Sequence, residues 1–368
     1  MKLTGVELRT VRVPLVTPFR TSFGTETVRE ALLVRVVSDE AEGWGECGAD
    51  TAPLYSPEYT HAAADVLTRF LVPAVAGVPE LDAHQVAPAL AGFKGHRMAR
   101  AALETAVLDA DLRARGVPLA HALGAVRSTV PCGVSVGITE SIPALLDAVG
   151  GYLDAGYLRI KLKIEPGWDV EPVRAVRERF GDVPLQVDAN TAYSRADLRH
   201  LARLDDFGLL MLEQPLAVDD LLGHARLAAL LTTPICLDES ITSARAAADA
   251  IALGACRVVN IKPGRVGGYL EARRIHDVCA AHDVPVWCGG MLETGVGRAA
   301  NLALAALPGF RFPGDTSASE RYYATDLTEP FRLVDGHLPV PTGPGIGVAP
   351  LPDALEEFTT GATWVPLG

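Results

Sequence analysis

The sequence predicts an α/β fold in which a modified (β/α) TIM-type barrel, of about seven to eight strands, is joined to an α+β capping domain. Three observations support this prediction. Residues 1–50 alternate between apolar and polar positions, a pattern typical of antiparallel strands. Residues 57–122 show the apolar spacing of amphipathic helices. From residue 131 onward, short apolar runs alternate with helix-like stretches, which indicates parallel strands joined by helices.

These patterns divide the chain into three parts. Residues 1–125 form the predicted capping domain, with a turn between strands at Asp39–Gly43 and a packing helix at 97–115. Residues 126–325 form the predicted barrel. Its eight strand candidates lie near residues 133, 160, 186, 210, 236, 259, 286 and 311. Residues 326–368 are rich in proline and glycine, and we expect this C-terminal segment to return to the capping domain.

Composition and charge narrow the class of protein. The chain has 368 residues, of which 49% are hydrophobic, and a formal net charge of −12 at pH 7. An acidic chain is a poor match for nucleic acid or an anionic membrane surface, so neither is an expected partner. No apolar run reaches the roughly 18 residues of a membrane helix, and the first residues lack the apolar core of a signal peptide. We therefore expect a cytoplasmic protein, whose six scattered cysteines are buried free thiols.

Five ionisable residues recur at intervals of 24 or 25 residues, and each ends or closely follows a strand candidate. They are Lys163, Asp188, Glu213, Asp238 and Lys262. One strand and one helix take about this much chain, roughly 30 residues for a βαβ unit. Because the carboxyl ends of parallel barrel strands meet at one rim, we expect these side chains to converge on one pocket.

The three carboxylates predict a metal site. Asp188, Glu213 and Asp238 fall on neighbouring strands, which are about 4.7–4.9 Å apart, and they would repel one another without a cation between them. Oxygen-only ligands favour a hard ion, so we expect Mg²⁺, with Mn²⁺ or another divalent ion as the alternative. Asn190 is expected to point to the same side and orient a ligand, and Glu239 to point elsewhere. The alternative is that the carboxylates cap the helices that follow them.

The lysines predict acid–base chemistry. Lys161 and Lys163 share one face of a strand, so the charge of one lowers the pKa of the other. In an eight-stranded ring, Lys262 would lie opposite Lys163. One base would then remove an α-proton and the opposite acid would return it, as a racemase requires. A Schiff-base aldolase is the main alternative, although it needs no carboxylate cluster, and a non-enzymatic metal-binding protein is another.

Five motifs carry a resemblance to a known family. They are KLK at 161–163, DAN at 188–190, EQP at 213–215, DES at 238–240 and NIKPGRVGG at 260–268. In this order and spacing the chain resembles the enolase superfamily, in its muconate-lactonising subgroup, over essentially its whole length. Sites of this superfamily use a Lys or His base with Mg²⁺ stabilising an enediolate. The stretch VPVWCGGMLETG contains no histidine, so the mandelate-racemase type is not expected.

A closer resemblance is to N-acylamino acid (N-succinylamino acid) racemases that also act as o-succinylbenzoate synthases. It is carried by TPFRTSFG at 17–24, KGHRMA at 94–99, CGVSVG at 132–137, GGMLETG at 289–295 and PGDTSAS at 313–319. The chain departs from this pattern at Asp50, where an apolar residue, often Met, is usual. The charge of Asp50 either disfavours an anionic succinyl tail or faces solvent.

The resemblance implies a role for each matching residue. The metal ligands would be Asp188, Glu213 and Asp238. Lys163 and Lys262 would exchange the proton, and Lys161 would help to neutralise the substrate carboxylate. The implied substrate-binding residues are Phe19, Phe23, Tyr55, Ser135, Asn190, Met291 and Leu292. Glu239 and Arg265 would lie behind them, and Arg265, if it approaches Lys262, would lower the pKa of that lysine.

The expected function is Mg²⁺-dependent abstraction of the α-proton of a carboxylate substrate through an enediolate. The resemblance implies racemisation of N-acylamino acids, with dehydration to o-succinylbenzoate as a second activity. The alternatives are an o-succinylbenzoate synthase of menaquinone biosynthesis as the main role, or a dipeptide epimerase. The expected partner is a small-molecule carboxylate, and we expect the chain to form a homo-oligomer.

Overall fold

A computed structural model describes residues 1–367, and it opens with an antiparallel meander. The meander consists of β1 (Leu3–Thr21), β2 (Gly24–Ser38) and β3 (Glu42–Cys47). The turn predicted at Asp39–Gly43 is present but shorter, because β2 ends at Ser38 and β3 already begins at Glu42. The hydroxyl of Ser38 closes this turn by accepting hydrogen bonds from the backbone N–H groups of Glu40 (3.2 Å) and Ala41 (3.0 Å).

Helices follow the meander and pack against it. They are α1 (Thr60–Val66), α2 (Val72–Ala76), α3 (Ala83–Ala89), α4 (Arg97–Ala114) and α5 (Leu119–Leu123), with a π-helical turn, Leu67–Leu71, between α1 and α2. The predicted helix at 97–115 is confirmed as α4. The carboxylate of Glu58 accepts hydrogen bonds from the N–H groups of Met98 (3.0 Å) and Ala99 (3.2 Å), which have no partner inside the helix.

Two glycines of β3 let α4 approach the sheet closely. A Cβ atom at Gly43 would lie 2.2 Å from the carbonyl oxygen of Ala106, and one at Gly45 would lie 2.1 Å from that of Ala102. Carbon and oxygen atoms do not approach to such distances without a bond. Because the obstacle is helix backbone, a larger residue at either position would push α4 away from the sheet.

Strands and helices then alternate along the chain. In order they are β4 (Thr129–Pro131), β5 (Val134–Val136), α6 (Ile142–Asp154), β6 (Ile160–Lys163), α7 (Val170–Phe180), β7 (Leu185–Asp188), α8 (Leu198–Leu201), β8 (Leu212–Glu213), α9 (Leu221–Ala228), β9 (Ile235–Leu237), α10 (Ala244–Ala252), β10 (Val258–Ile261), α11 (Pro263–Val266), α12 (Tyr269–Ala281), β11 (Val286–Cys288) and α13 (Gly295–Ala305). The last three are β12 (His337–Pro339), α14 (Pro352–Phe358) and β13 (Thr359–Pro366).

Seven of these strands form one curled parallel sheet in the order β11-β10-β9-β8-β7-β6-β5, which confirms the barrel-type α/β architecture. The eighth strand candidate, near residue 311, is wrong. This segment lies between the two edge strands, where the N–H of Arg311 donates to the carbonyl of Val286 (3.0 Å) and the N–H of Gly133 donates to the carbonyl of Gly314 (2.8 Å). Pro313 has no N–H to donate, so the segment makes isolated bridges instead of a ladder.

The C-terminal segment contacts both parts of the molecule. β12 pairs with β4, and β13 pairs antiparallel with β1, so the N-terminal sheet has the order β13-β1-β2-β3. The buried carboxylate of Asp109, on α4, accepts hydrogen bonds from the N–H groups of Trp44 (2.8 Å) and Ile346 (2.7 Å). One side chain therefore ties α4 to β3 and to the C-terminal segment.

The six cysteines are all buried and free, as the sequence predicted. Among residues 1–367, no helix is both long and apolar enough to cross a membrane.

We expect Gly45→Ala to lower the free energy of unfolding by about 3 kcal/mol, because the added methyl group overlaps the backbone of α4. Urea denaturation measures this change. The matched control is Gly92→Ala, where an added Cβ would meet no atom within 4 Å and the expected change is below about 0.5 kcal/mol. Equal stability of the two variants would show that the close approach of helix and sheet carries no constraint.

Candidate active site

The carboxyl ends of β6 to β10 bring the five evenly spaced residues to one rim. Lys163 ends β6, Asp188 ends β7 and Glu213 ends β8, while Asp238 and Lys262 directly follow β9 and β10. In the sheet register Lys163 pairs with Asp188, and Asp188 pairs with Glu213. All five side chains are buried. Regular spacing in the sequence thus becomes proximity in the fold.

Lysine ammonium groups lie among the carboxylates. Lys161 Nζ is 3.3 Å from Asp188 Oδ2 and 3.3 Å from Glu213 Oε2. Lys163 Nζ donates a hydrogen bond of 2.6 Å to Asp188 Oδ2. Burial acts to raise the pKa of Asp188, but Lys163 and Lys161 outweigh it and lower this pKa to about 2. The pKa of Glu213 is raised, first by burial and then by the charge of Asp188.

The pKa of Lys163 is lowered, which is the direction expected from the sequence. Burial is its largest cause, and the like charge of Lys161 adds to it. Desolvation disfavours the charged form of any buried lysine, so the environment moves Lys163 toward the neutral amine that a base requires.

Lys262 contacts the third carboxylate together with a tyrosine from the capping domain. Its Nζ lies 2.8 Å from Asp238 Oδ2 and donates a 3.1 Å hydrogen bond to the hydroxyl of Tyr55. That hydroxyl donates in turn to Asp238 Oδ1 (3.0 Å). Burial acts to lower the pKa of Lys262, but Tyr55 and Glu239 outweigh it and raise this pKa. Tyr55, expected only to close over the substrate, therefore also holds a lysine of the rim.

Carboxylate oxygens at the ends of three neighbouring strands are the donor set that a hard divalent cation prefers. All three carboxylates are buried, and their oxygens contact lysine ammonium groups, as Asp238 Oδ2 contacts Lys262 Nζ at 2.8 Å. Among residues 1–367, no group of three or more His, Cys, Asp or Glu side chains is close enough together to hold an ion. Lysine side chains lie between the carboxylates. The residues fit a metal in donor chemistry and burial, and the metal itself stays a prediction.

A cavity of about 140 Å³ lies between the rim and the capping domain. Lys161, Lys163 and Lys262 line it. So do all the residues that the sequence suggested for substrate binding, namely Phe19, Phe23, Tyr55, Ser135, Asn190, Met291 and Leu292. Three strands, β7 to β9, separate the strands that carry Lys163 and Lys262. The two lysines therefore reach the cavity from well-separated parts of the rim.

Sequence reasoning missed Asp315, which also lines the cavity. Its carboxylate lies 2.5 Å from Lys161 Nζ and 2.9 Å from Arg159 Nη2, and the ring of Trp287 is centred 4.8 Å from the same Nζ. Burial acts to raise the pKa of Asp315, but these two cations hold it well below its usual range. The PGDTSAS motif, which carried part of the family resemblance, contains this residue. Counting strands along the sequence could not show that its side chain reaches the site.

Two family models match the chain. The mandelate racemase / muconate lactonizing enzyme N-terminal domain matches residues 3–124, and the enolase C-terminal domain-like model matches residues 144–354. The chain belongs to the enolase superfamily. The resemblance inferred from the five motifs is confirmed, and the chain is an enzyme of this superfamily.

Individual relatives cover nearly the whole chain. An N-succinylamino acid racemase of Amycolatopsis sp is 69% identical over 366 residues, which is 99% of this chain and 100% of the relative. An o-succinylbenzoate synthase of Geobacillus kaustophilus is 50% identical over 356 residues, 96% of this chain and 95% of the relative. The crystal structure of an enolase superfamily member from Listeria innocua superposes with a TM-score of 0.96, at 39% identity and with full coverage of both chains.

In this enolase-superfamily site, Asn190 and Glu239 form a layer next to Lys163. Asn190 Oδ1 accepts a 2.6 Å hydrogen bond from Lys163 Nζ, and its Nδ2 donates to Glu239 Oε1 (2.9 Å). The expectation that Glu239 points elsewhere is wrong. Gln214 Oε1 accepts hydrogen bonds from the N–H groups of Asp238 and Ser240, so the chain turns there and strand alternation no longer applies. Burial, and then Asp188, raise the pKa of Glu239 to about 7.

Arg265 contacts Asp238, one of the candidate metal ligands, and does not contact Lys262. Its Nη1 contacts Asp238 Oδ1, its Nε donates to the carbonyl of Ile241 (2.8 Å), and its Nη2 donates to the carbonyl of Asn260 (2.6 Å). The guanidinium thus connects a carboxylate of the rim to two backbone carbonyls. Its geometry supports a role in orienting Asp238 and does not support the direct approach to Lys262 that the sequence suggested.

We expect Asp315→Asn to lower the free energy of unfolding by about 3–5 kcal/mol, because it leaves Arg159 buried without a carboxylate. Urea denaturation provides the measurement. Glu171→Gln is the control, since it breaks an ion pair whose side chains are 44% and 68% exposed, and the expected loss is about 0–1 kcal/mol. A loss for Asp315→Asn no larger than that of the control would contradict the assignment of this buried pair.

Proposed function

We propose that this enzyme racemises N-acylamino acids, the class that includes N-succinylamino acids. The observation that carries the proposal is the placement of Lys163 and Lys262 on strands separated by three others, both lining one cavity. Racemisation needs an acid or base on each face of a planar intermediate, and two lysines at separate parts of a rim supply them. The N-succinylamino acid racemase relative, at 69% identity, supports the same activity.

We further propose that a divalent cation, Mg²⁺ in the first place and Mn²⁺ as the alternative, binds Asp188, Glu213 and Asp238. A divalent metal is typical of the enolase superfamily. When bound, it would stabilise the second negative charge that forms on the substrate carboxylate during deprotonation. Gln186 Nε2 and Asn260 Nδ2 donate hydrogen bonds to the two oxygens of Glu213, at 3.2 and 2.7 Å, and so fix the orientation of that ligand.

Each of the three lysines of the rim has its own role in the proposed reaction. Lys161, held by Asp315 and Trp287, is placed to neutralise the substrate carboxylate. Lys163 Nζ removes the α-proton from one face of the substrate, and Lys262 Nζ delivers a proton to the opposite face. For the other enantiomer the two lysines exchange roles. Phe19 and Phe23 of the capping domain line the same cavity, and their apolar rings would exclude water from a bound substrate.

Dehydration to o-succinylbenzoate is the second candidate activity, and the 50% identical o-succinylbenzoate synthase supports it. This reaction needs acid–base chemistry on one face only, with Lys163 as the base and then the acid. Lys262 then contributes only its positive charge.

A dipeptide epimerase would use the same lysines with a different acyl pocket. Membership of the superfamily gives no support to a Schiff-base aldolase or a non-enzymatic protein. The homo-oligomeric state and the cytoplasmic location stay predictions.

The direct test of the proposed function is turnover of N-acylamino acids and of the dehydration substrate, each with Mg²⁺ and after EDTA. We expect Asp238→Asn to lower kcat/KM by at least about 100-fold and to weaken Mg²⁺ binding in calorimetry, because one of three anionic ligands becomes neutral. Asp249→Asn, on the exposed face of α10, changes the net charge equally and should behave as wild type. Full turnover of Asp238→Asn in EDTA would refute the metal assignment.

We expect Lys262→Ala to stop racemisation while α-hydrogen exchange continues for one enantiomer, the one whose α-proton faces Lys163. Lys163→Ala should show the reverse preference. Proton NMR in D₂O, started from each pure enantiomer, measures the exchange. The two variants serve as controls for each other, because both remove one buried ammonium group. Exchange of both enantiomers at the wild-type rate in either variant would rule out the two-base arrangement.

A further inference from the structure

Charged side chains line the cavity both on its barrel side and on its capping side. Lysines line its barrel side, whereas its capping wall includes Glu26 of β2 and Asp50, which follows β3. The cation Arg29 lies behind this wall, and its side chain is 1% exposed. The capping wall therefore carries two carboxylates against one guanidinium.

Arg29 fixes the position of one of these carboxylates. Its Nη1 donates a 2.7 Å hydrogen bond to Asp50 Oδ1, while its Nε and Nη2 have no partner among residues 1–367. The backbone carbonyl of Asp50 also accepts a 2.9 Å hydrogen bond from the N–H of Thr60. Asp50 is thus held at both its side chain and its backbone, and its carboxylate cannot turn away from the wall without leaving Arg29 unpaired.

Glu26 is held differently. It lies opposite Phe19 in the β1–β2 register, and within the part of the chain that the structure describes its carboxylate makes no ion pair or hydrogen bond. Burial raises the pKa of Glu26, and Arg29, whose hydrogen bond goes to Asp50, acts to lower it. When ionised, Glu26 is therefore a negative charge without a matched cation, directly beside the substrate cavity.

We infer that Glu26, Arg29 and Asp50 together set the charge accepted at the end of the substrate remote from its α-carboxylate. A neutral or cationic group binds there in preference to a carboxylate. The physical cause is the excess negative charge of the wall, which repels a second anionic group placed beside it. The side chains that bind the α-carboxylate are on the barrel side, so catalysis and this selection use separate residues.

The experiment uses substrates that differ only in charge. N-succinyl-L-methionine and its N-succinamoyl counterpart exchange a carboxylate for an amide of the same shape in the acyl group. N-acetyl-L-glutamate and N-acetyl-L-glutamine do the same in the side chain. The readout is the ratio of kcat/KM for carboxylate over amide within each pair, measured for wild type, Asp50→Asn and Glu26→Gln. Both substrates of a pair are assayed with the same enzyme preparation, so the fraction of folded enzyme cancels from the ratio.

In at least one pair, wild type should favour the amide, and each variant should raise the carboxylate-to-amide ratio by about three- to tenfold. In Asp50→Asn the introduced amide oxygen can still accept the hydrogen bond of Arg29. Glu26→Gln removes no hydrogen bond or ion pair found among residues 1–367, so this variant tests the wall if Asp50→Asn folds poorly. Added salt should raise the wild-type ratio, because it screens the repulsion. Asp65→Asn, an exposed acid on α1, should leave the ratio at the wild-type value.

Because this inference rests on the proposed racemase activity, its failure must be separable from failure of that activity. Wild type that turns over none of the four substrates would refute the proposed function itself. Wild type that racemises them, with ratios that neither Asp50→Asn nor Glu26→Gln changes in either pair, would overturn the role of the wall and leave the racemase standing. A fall of the ratio in both variants would overturn it equally.

Discussion

Charge pairing inside a buried rim is the constraint on which the rest of this structure depends. Lys161, Lys163, Asp188 and Glu213 are all at most 7% exposed. An isolated buried charge costs several kcal/mol, so each of these groups is stable only beside an opposite charge. The pairs join side chains of neighbouring strands, so they form only when those strands are in the correct register. A slip of one residue between β6 and β7 would turn Lys163 and Asp188 to opposite faces and leave both unpaired.

The capping domain completes the rim, because several contacts that shape the cavity cross between the two parts of the chain. Tyr55 bonds to Lys262 and Asp238, as described above. On β3, the carboxylate of Glu46 accepts hydrogen bonds from the N–H (3.0 Å) and hydroxyl (2.7 Å) of Thr294 and from the N–H of Gly297 (2.9 Å). These donors begin α13 and have no partner within that helix. The cap thereby holds the segment just before α13, which lines the cavity.

The sequence was sufficient for the features that follow from periodicity. Strand-and-helix spacing located the barrel strands and brought Lys163, Asp188 and Lys262 to one rim, since parallel strands must end on the same side. It was insufficient wherever the chain leaves a regular strand. Asp315 lies in a segment interrupted by a proline, and Glu239 lies in a turn where the N–H groups of the residues on either side of it donate to Gln214. At such positions the direction of a side chain depends on tertiary hydrogen bonds, which no count along the sequence contains. The contact of Arg265 with Asp238 was missed for the same reason.

The division between rim and wall bears on how one site can serve two reactions. In the proposed mechanism, Lys163 removes a proton from a carbon next to a carboxylate both in dehydration and in racemisation of one enantiomer, so the buried charges of the rim suit both reactions. The reactions differ in what the rest of the substrate looks like and in whether Lys262 must move a proton. Selection between substrates must then come from groups that contact the part of the substrate remote from its α-carboxylate, and in the proposed arrangement those groups lie on the capping domain. Residues such as Phe19 and Asp50 stand outside the paired network of the rim, so they can change without unbalancing its buried charges.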